Sequence, residues 1–408
     1  MSNLKSLRPT LPILIGASLM LTMALGLRQS LGIFMPPLTK DLGISVSDFT
    51  LAIAVQNLSW GLLQPLAGAW AGRKGYRSLM VGGSLLYICG LILLATAHGL
   101  ISVILGAGVA IGAAMACCGG AMSMAVAARP VSAAMRSTVL GIVSGAGSLG
   151  AMLAAPVGQF LSQSYGWRAG MYGFIIMALI MVPAAWMAGR VDDIPVAGGG
   201  AANQLNARDA LSAALRNPSF VVMSLAYFVC GMQLVFLTTH LPSYLDLCAM
   251  DPMLGAQALG AIGAFNVLGS VFFGWAGGRF NKLMLLGGMY ITRSVLIAWY
   301  FMMPPTAAST LFFASAMGFL WLGVAPLVSG WVAETFGLRW QAMLGGLAFV
   351  SHQFGSFVGA FGGGLIFDAF GSYNAAWQGG VALGLAAGLT QVCFAYGRVP
   401  RQPPPAVT

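Results

Sequence analysis

The stretch Gly68-Ala69-Trp70-Ala71-Gly72-Arg73-Lys74-Gly75-Tyr76-Arg77 returns in shortened form as Gly274-Trp275-Ala276-Gly277-Gly278-Arg279-Phe280-Asn281-Lys282. In each copy, small residues one helical turn apart close an apolar run and a basic cluster follows at once. That is the pattern of a helix leaving a membrane on its positively charged side. The copies stand about half the chain apart, so the chain reads as two related halves. Other pairs keep nearly the same offset. Pro36 matches Pro242, and the small-residue stripe Gly150, Ala154, Gly158, with Gly166 beyond it, is matched one residue out of step by Gly355, Gly359, Gly363 and Gly371.

With 58% hydrophobic and 7% charged residues, a water-soluble globule would lack the polar surface it needs. A spanning helix takes roughly 20 apolar residues, and the chain accommodates about twelve such segments. The predicted fold is therefore an all-α membrane protein with twelve transmembrane helices in two pseudo-symmetric six-helix bundles. The first apolar run is too long for the core of a cleavable signal, carries Arg28 and reaches Pro36-Pro37 instead of a small-residue cleavage site, so it is expected to remain as the first span. The net charge of +10 comes from short clusters between apolar runs, not from one basic face, which argues against nucleic acid. A cytoplasmic N-terminus places Lys5, Arg8, Arg73, Lys74, Arg77, Arg129, Arg136, Arg190, Arg208, Arg216, Arg279, Lys282, Arg339, Arg398 and Arg401 inside. Only Lys40 and Arg168 then fall in outer loops. This asymmetry predicts a multi-pass protein of the inner (plasma) membrane with both termini cytoplasmic. The six cysteines show no metal-ligand spacing and read as small packing residues. No cofactor is expected.

The predicted halves are residues 1–189 and 219–408, joined by a cytoplasmic linker over 190–218. That linker holds Asp192, Asp193, the run Gly198-Gly199-Gly200 and a surface-helix candidate over Ala207 to Leu215. The first span is expected over Leu11 to Phe34, with Lys40 to Ser47 as an outer loop and Asp48 as the N-cap of the second span. Pro403-Pro404-Pro405 marks a polar, unstructured tail.

Gly68-x-x-x-Gly72-Arg73-x-Gly75-x-Arg77 resembles the signature between the second and third helices of the major facilitator superfamily. Two six-helix halves with a long central loop are similar to that family over essentially the whole chain. One departure stands out: the family's usual Asp at the fifth motif position is Gly72 here. In the family that acid latches the halves, so the resemblance implies a gating or structural role for Gly68, Gly72, Arg73, Gly75, Arg77, Gly274, Gly278 and Arg279 without such a charge latch at this site. Within the superfamily, Gly26 to Phe34 with Pro36-Pro37 resembles the first helix of bacterial monocarboxylate-transporter-like and oxalate/formate-exchanger-like members. His352-Gln353-x-Gly355 and Gly371-Ser372-Tyr373 add to that likeness.

Arg28 lies about eight residues before Pro36, roughly 12 Å inside the span at 1.5 Å per residue. A guanidinium there costs on the order of 3 kcal/mol on insertion scales. It either reaches the outer interface or backbone carbonyls, or it faces a cavity and binds an anion, since its planar fork suits a carboxylate. No Asp or Glu sits mid-span as an internal counter-ion, which favours the anion. Arg293, on a helix that is peripheral in the family, reads as structural. His352 is either a helix-bridging hydrogen-bond partner or a titratable partner for substrate or proton. His240 reads as a gate or structural residue and His98 as a loop residue. Gln29, Gln56, Asn57, Tyr227, Gln233, Asn266 and Gln353 add polar groups on helices that line the cavity in the family, although buried amides also bridge helices. Relatives of the exchanger type carry a basic residue on the eighth helix, where this chain has Asn266.

No Walker A loop, H-E-x-x-H or Gly-x-Ser-x-Gly motif is present, and no soluble segment is large enough for a nucleotide-binding domain. The chain is thus read as a secondary transporter, not an enzyme. The expected substrate is a small organic anion, monocarboxylate-like, moved by alternating access, with protons as candidate coupling ions and His352 as the coupling residue. The protein is expected to act as a monomer in the bilayer. Efflux of drugs or hydrophobic compounds is the alternative within transport, given the many Met and aromatic residues. A membrane sensor that does not translocate its ligand is the alternative outside it.

Overall fold

The computed structural model of the protein describes residues 10–195 and 205–396. Lys5 and Arg8, the Gly198-Gly199-Gly200 run, Arg398, Arg401 and the Pro-rich tail lie outside the described residues. Ten helical runs are long and apolar enough to cross a membrane. Val46–Lys74 and the run 341–370 bring the set to twelve, and no strand occurs among the described residues.

The first span, Leu11–Leu42, does not stop at its prolines. Pro36 and Pro37 stand in the first turn of a new helical piece, Met35–Leu42, where a missing N–H costs nothing. The helix therefore carries Lys40 and closes on Gly43 in the left-handed region at φ 62°. The second span, Val46–Lys74, is capped by Ser45 and not by Asp48. Asp48 sits at the third helical position and accepts from the Ser45 N–H at 2.9 Å while Ser45 Oγ accepts from the Asp48 N–H at 3.0 Å, a reciprocal capping box. The other spans of the first half are Arg77–Ala95, Leu100–Ala128, Ala133–Tyr165 and Trp167–Asp193. After the linker helix Ala207–Arg216, capped by Asn206, come Pro218–Leu247, Pro252–Gly277, Lys282–Phe301, Ala307–Phe336, 341–370 and Asn374–Tyr396.

The packing carries the duplication further than the sequence does. In the first half, span one packs on five, two on four and three on six. In the second half, seven packs on eleven, eight on ten and nine on twelve. Individual crossings repeat as well. Gly150 presses on the carbonyl of Thr22 as Gly355 presses on that of Phe228, and Gly112 on Gln56 as Gly318 on Ile262. Small residues let these backbones touch, which is where helix association in lipid draws its energy. Two buried apolar clusters result. One runs from Ile13 to Val191 with Ala333, Leu338 and Ala342, and the other from Ala207 to Ala395.

Most of the described contacts between the halves follow two crossings that are copies of each other, with further contacts of the fourth and fifth spans against the tenth and eleventh. Spans two and eleven meet at Gly72 with Trp340, at Gly68 with Met343, at Gln64 with Gly346 and at Gly61 with Gln353. Spans eight and five meet at Gly274 with Gly141, at Ser270 with Ser144 and at Asn266 with Ser148. Both crossings start at the end of the bundle that carries the basic clusters and reach about mid-span. Farther along, Gly260 and Gly263 face open space. Gly68→Leu would drive a side chain into the backbone of the eleventh span, an overpacking cost of about 1–3 kcal/mol. Amide hydrogen exchange over 340–346 should rise about tenfold in that variant; unchanged protection would show that this crossing does not hold the basic end shut.

Gly72 also explains the missing acid. A Cβ there would stand 2.7 Å from the Trp340 ring, whose indole N–H donates to the Leu205 carbonyl at 2.9 Å. Close packing occupies the place where a carboxylate would otherwise project. An acid reaches this junction instead from the end of the sixth span. Asp192 accepts from the backbone N–H groups of Tyr76 and Arg77, each at 2.9 Å, beside Gly75 at φ 91°.

Candidate functional site

Where the second and eleventh spans last touch, at mid-membrane, polar and aromatic side chains from both halves collect. Arg28 leaves the end of the first long helical piece and donates through Nη2 to Asn57 Oδ1. Its guanidinium lies over the Trp60 ring, 5.0 Å from the centroid, and its Nε is buried without a hydrogen-bond partner. None of the ion pairs among the described residues involves it. A cation held by one neutral amide oxygen, with an unused donor, remains able to take an anion.

Gln353 crosses from the other half. Its Nε2 donates to the Asn57 carbonyl at 3.1 Å and to Asn57 Oδ1 at 3.3 Å, so one amide oxygen serves donors from both bundles. His352 places Nδ1 3.2 Å from Gln353 Oε1, stacks on Phe349 at 5.1 Å and meets Tyr227 edge-on at 4.8 Å. Phe349 in turn lies 4.7 Å from Trp60, and the Trp60 indole N–H donates to Gln64 Oε1 at 2.9 Å. Positive charge thus comes from the first half, and the imidazole and most of the rings from the second.

Of the expected site residues, Arg28, Asn57, Tyr227, His352 and Gln353 come together here. Gln29 is exposed at the helix end. Gln56 is fully buried and donates to the Ala107 carbonyl of the fourth span at 2.6 Å. Gln233 faces the ninth and twelfth spans, donating to Ser294 Oγ and to the Gly380 carbonyl, each at 3.1 Å. Asn266 bridges Ser148 at 2.9 Å and the Leu322 N–H at 2.8 Å. Trp60, Gln64 and Phe349 were not singled out from the sequence. Trp60 stands three residues after Asn57 and Phe349 three before His352, the spacing of one helical face, and that signal was available.

Two other ionisable side chains within the spans, Arg293 and His240, have structural partners. Arg293 is fully buried and donates to the carbonyls of Leu320 and Trp321, the latter at 2.6 Å, and to Cys230 Sγ at 3.1 Å. It satisfies the carbonyls freed where the tenth span breaks between Ala307–Phe319 and Val324–Phe336, while Asn266 takes a freed N–H there. Cys230 is accordingly more than a packing residue. His240 Nε2 lies 2.9 Å from the Ala360 carbonyl, tying the seventh span to the eleventh. His98 is an exposed residue whose backbone N–H donates to Ser102 Oγ at 3.1 Å.

Comparison with known proteins agrees with this layout. The chain is 27% identical over 271 residues to the purine ribonucleoside efflux pump NepI of Salmonella typhimurium, covering 64% of each chain. It is likewise 27% identical over 258 residues to NepI of Salmonella enteritidis. It therefore spans somewhat under two thirds of the length of the curated relatives it matches. Among solved structures it is similar to the E. coli fucose:proton symporter FucP in the outward conformation, with a TM-score of 0.74 at 16% identity over 94% of this chain and 98% of that one. It is also similar to the human organic anion transporter MFSD10, with a TM-score of 0.66 at 16% identity over 93% and 98% of the two chains. The profile of the Major Facilitator Superfamily matches residues 17–360. Twelve spans in repeated sixes, glycine crossings that recur at the repeat offset and that family match lead to one statement: the chain is a multi-pass membrane protein of the Major Facilitator Superfamily, a family of transporters.

Proposed function

We propose that this transporter carries a small organic anion, monocarboxylate-like, across the inner membrane by alternating access between halves 1–189 and 219–408, with its basic end in the cytoplasm. The observation that carries this reading is Arg28: a mid-span guanidinium with an unpartnered Nε, held by a neutral amide and, among the described residues, paired with no carboxylate. A ligand carboxylate at this fork would offset the cost of the buried cation. Asn57, Gln353 and Tyr227 supply neutral polar contacts beside it, and Trp60 and Phe349 an apolar wall. Contacts that close the basic end while Gly260 and Gly263 face open space support an outward-facing state. His352, the one imidazole in the cluster, is the candidate for proton coupling. His352→Gln should then flatten the pH dependence of uptake, whereas an unaltered pH profile would remove it from that role.

A second reading is efflux of an uncharged aromatic solute such as a nucleoside. The rings of Trp60, Tyr227 and Phe349 beside two amides favour it, as does the distant likeness to a nucleoside pump. A thermal-shift screen of the purified protein separates the two, because a ligand at one hundred times its Kd stabilises the folded state by about 2.7 kcal/mol. Small carboxylates should raise the melting temperature and nucleosides or lipophilic cations should not; the reverse pattern overturns the anion reading. Counterflow of the labelled hit then distinguishes a carrier from a sensor.

A further inference from the structure

At the basic end, where the second span turns into the third and the loop before the eleventh comes alongside, there is a cavity of about 320 Å³. Arg73, Lys74 and Arg129 of the first half and Arg339 of the second line it, against a single acid, Asp192. That acid has little left to give. Its two oxygens already accept from the N–H groups of Tyr76 and Arg77. The other carboxylates nearby are also engaged, Asp193 with Arg77 at 2.9 Å and Glu334 with Lys282 at 2.7 Å. Arg129 Nε is buried without a hydrogen-bond partner. Gly72 also lines the cavity, and the Trp340 ring leaves no room there for a larger side chain.

Four cationic side chains from two halves line one cavity beside a single acid, a charge balance that favours a multivalent anion among them. We propose that this cavity binds a phosphate-type anion, a phospholipid headgroup or a free phosphate, which serves as the exchangeable counter-ion that a fixed acid would otherwise provide and so holds the basic end closed. Arg73, Lys74 and Arg129 present it from one half and Arg339 from the other. Three tetrahedrally disposed oxygens suit donors that converge from several directions, and guanidinium groups bind phosphate through paired N–H bonds. The site lies at the bundle surface, well away from Arg28, and its occupancy acts on the equilibrium between open and closed states through ligand linkage.

The test uses the full-length protein in nanodiscs of phosphatidylcholine, held at constant ionic strength with potassium chloride. Inorganic phosphate is titrated to 10 mM (about the upper range of a weak site) in one arm, and phosphatidylglycerol replaces about a fifth of the lipid in the other. We expect the melting temperature to rise by about 3 °C and amide exchange over 338–346 to slow in at least one arm. A response to phosphate in phosphatidylcholine alone identifies a soluble ligand, and a response only to phosphatidylglycerol identifies a headgroup. Arg129→Gln should abolish the response. If that variant does not fold, the exposed pair Arg73→Gln with Lys74→Gln serves in its place and should weaken the response at least threefold. No response in either arm, or an undiminished response in the variants, overturns the proposal. Neither outcome bears on the anion reading of the central site, whose ligand is tested through Arg28.

Discussion

Arg28→Ala should abolish uptake of the best carboxylate from the screen into proteoliposomes while leaving the protein folded and monodisperse. A charge-assisted hydrogen bond contributes about 1.5–3 kcal/mol, and the fork offers two such bonds to one carboxylate, so a loss of at least about a hundredfold in uptake follows. Stability should change little in that variant. The guanidinium makes one bond to a neutral amide, and its removal also lifts the cost of a cation in the bundle. Arg28→Lys keeps the charge but loses the planar fork, and should fall between the two with a raised KM. Wild-type uptake by Arg28→Ala would exclude this residue from the site. A collapse in stability without a specific loss of uptake per folded molecule would make it a structural cation instead.

Arg293→Met should have the opposite signature. The side chain is fully buried, and its removal strands the Leu320 and Trp321 carbonyls at the break in the tenth span. Removing one partner from a buried charged network costs about 3–5 kcal/mol. The melting temperature should fall on the order of 10 °C, whereas ligand affinity of the folded fraction should stay within about twofold (roughly 0.4 kcal/mol). A variant that melts normally yet loses ligand affinity would move Arg293 from the scaffold to the substrate. Two mid-span arginines are thus separated by what their nitrogens touch, Arg28 by an amide shared between the halves and the more deeply buried Arg293 by the carbonyls at a helix break.

Much of the architecture was legible because hydrocarbon imposes a strict grammar on sequence. Apolar runs of bilayer length, basic clusters at one end and glycine stripes at helix crossings are each dictated by a single strong term. The duplicated motif even marked the two inter-half crossings, since Gly68 and Gly274 both lie in them. Finer features depend on contacts remote in sequence and were harder to read. Pro36 and Pro37 looked like a terminus, yet prolines in a first turn start a helix as readily as they end one. The break at Leu320–Gly323 carries no proline and shows only through the arginine and asparagine that mend it. Polar residues on cavity helices were identified as a set, but periodicity does not say which neighbour each will face. Gln56 and Gln233 bond to adjacent helices and Asn266 to the tenth, whereas Asn57, one residue from Gln56, turns to Arg28.

That last residue has a consequence for how cargo and conformation are wired together. Asn57 Oδ1 accepts from Arg28 within its own bundle and from Gln353 across the divide. If the cargo is the proposed oxyanion, its capture of the arginine fork would release this oxygen from one of its two donors and alter its hold on the other. On the proposed reading, loading and one of the bonds between the bundles would share this atom, so a solute that leaves it undisturbed would lose that route to the change of state.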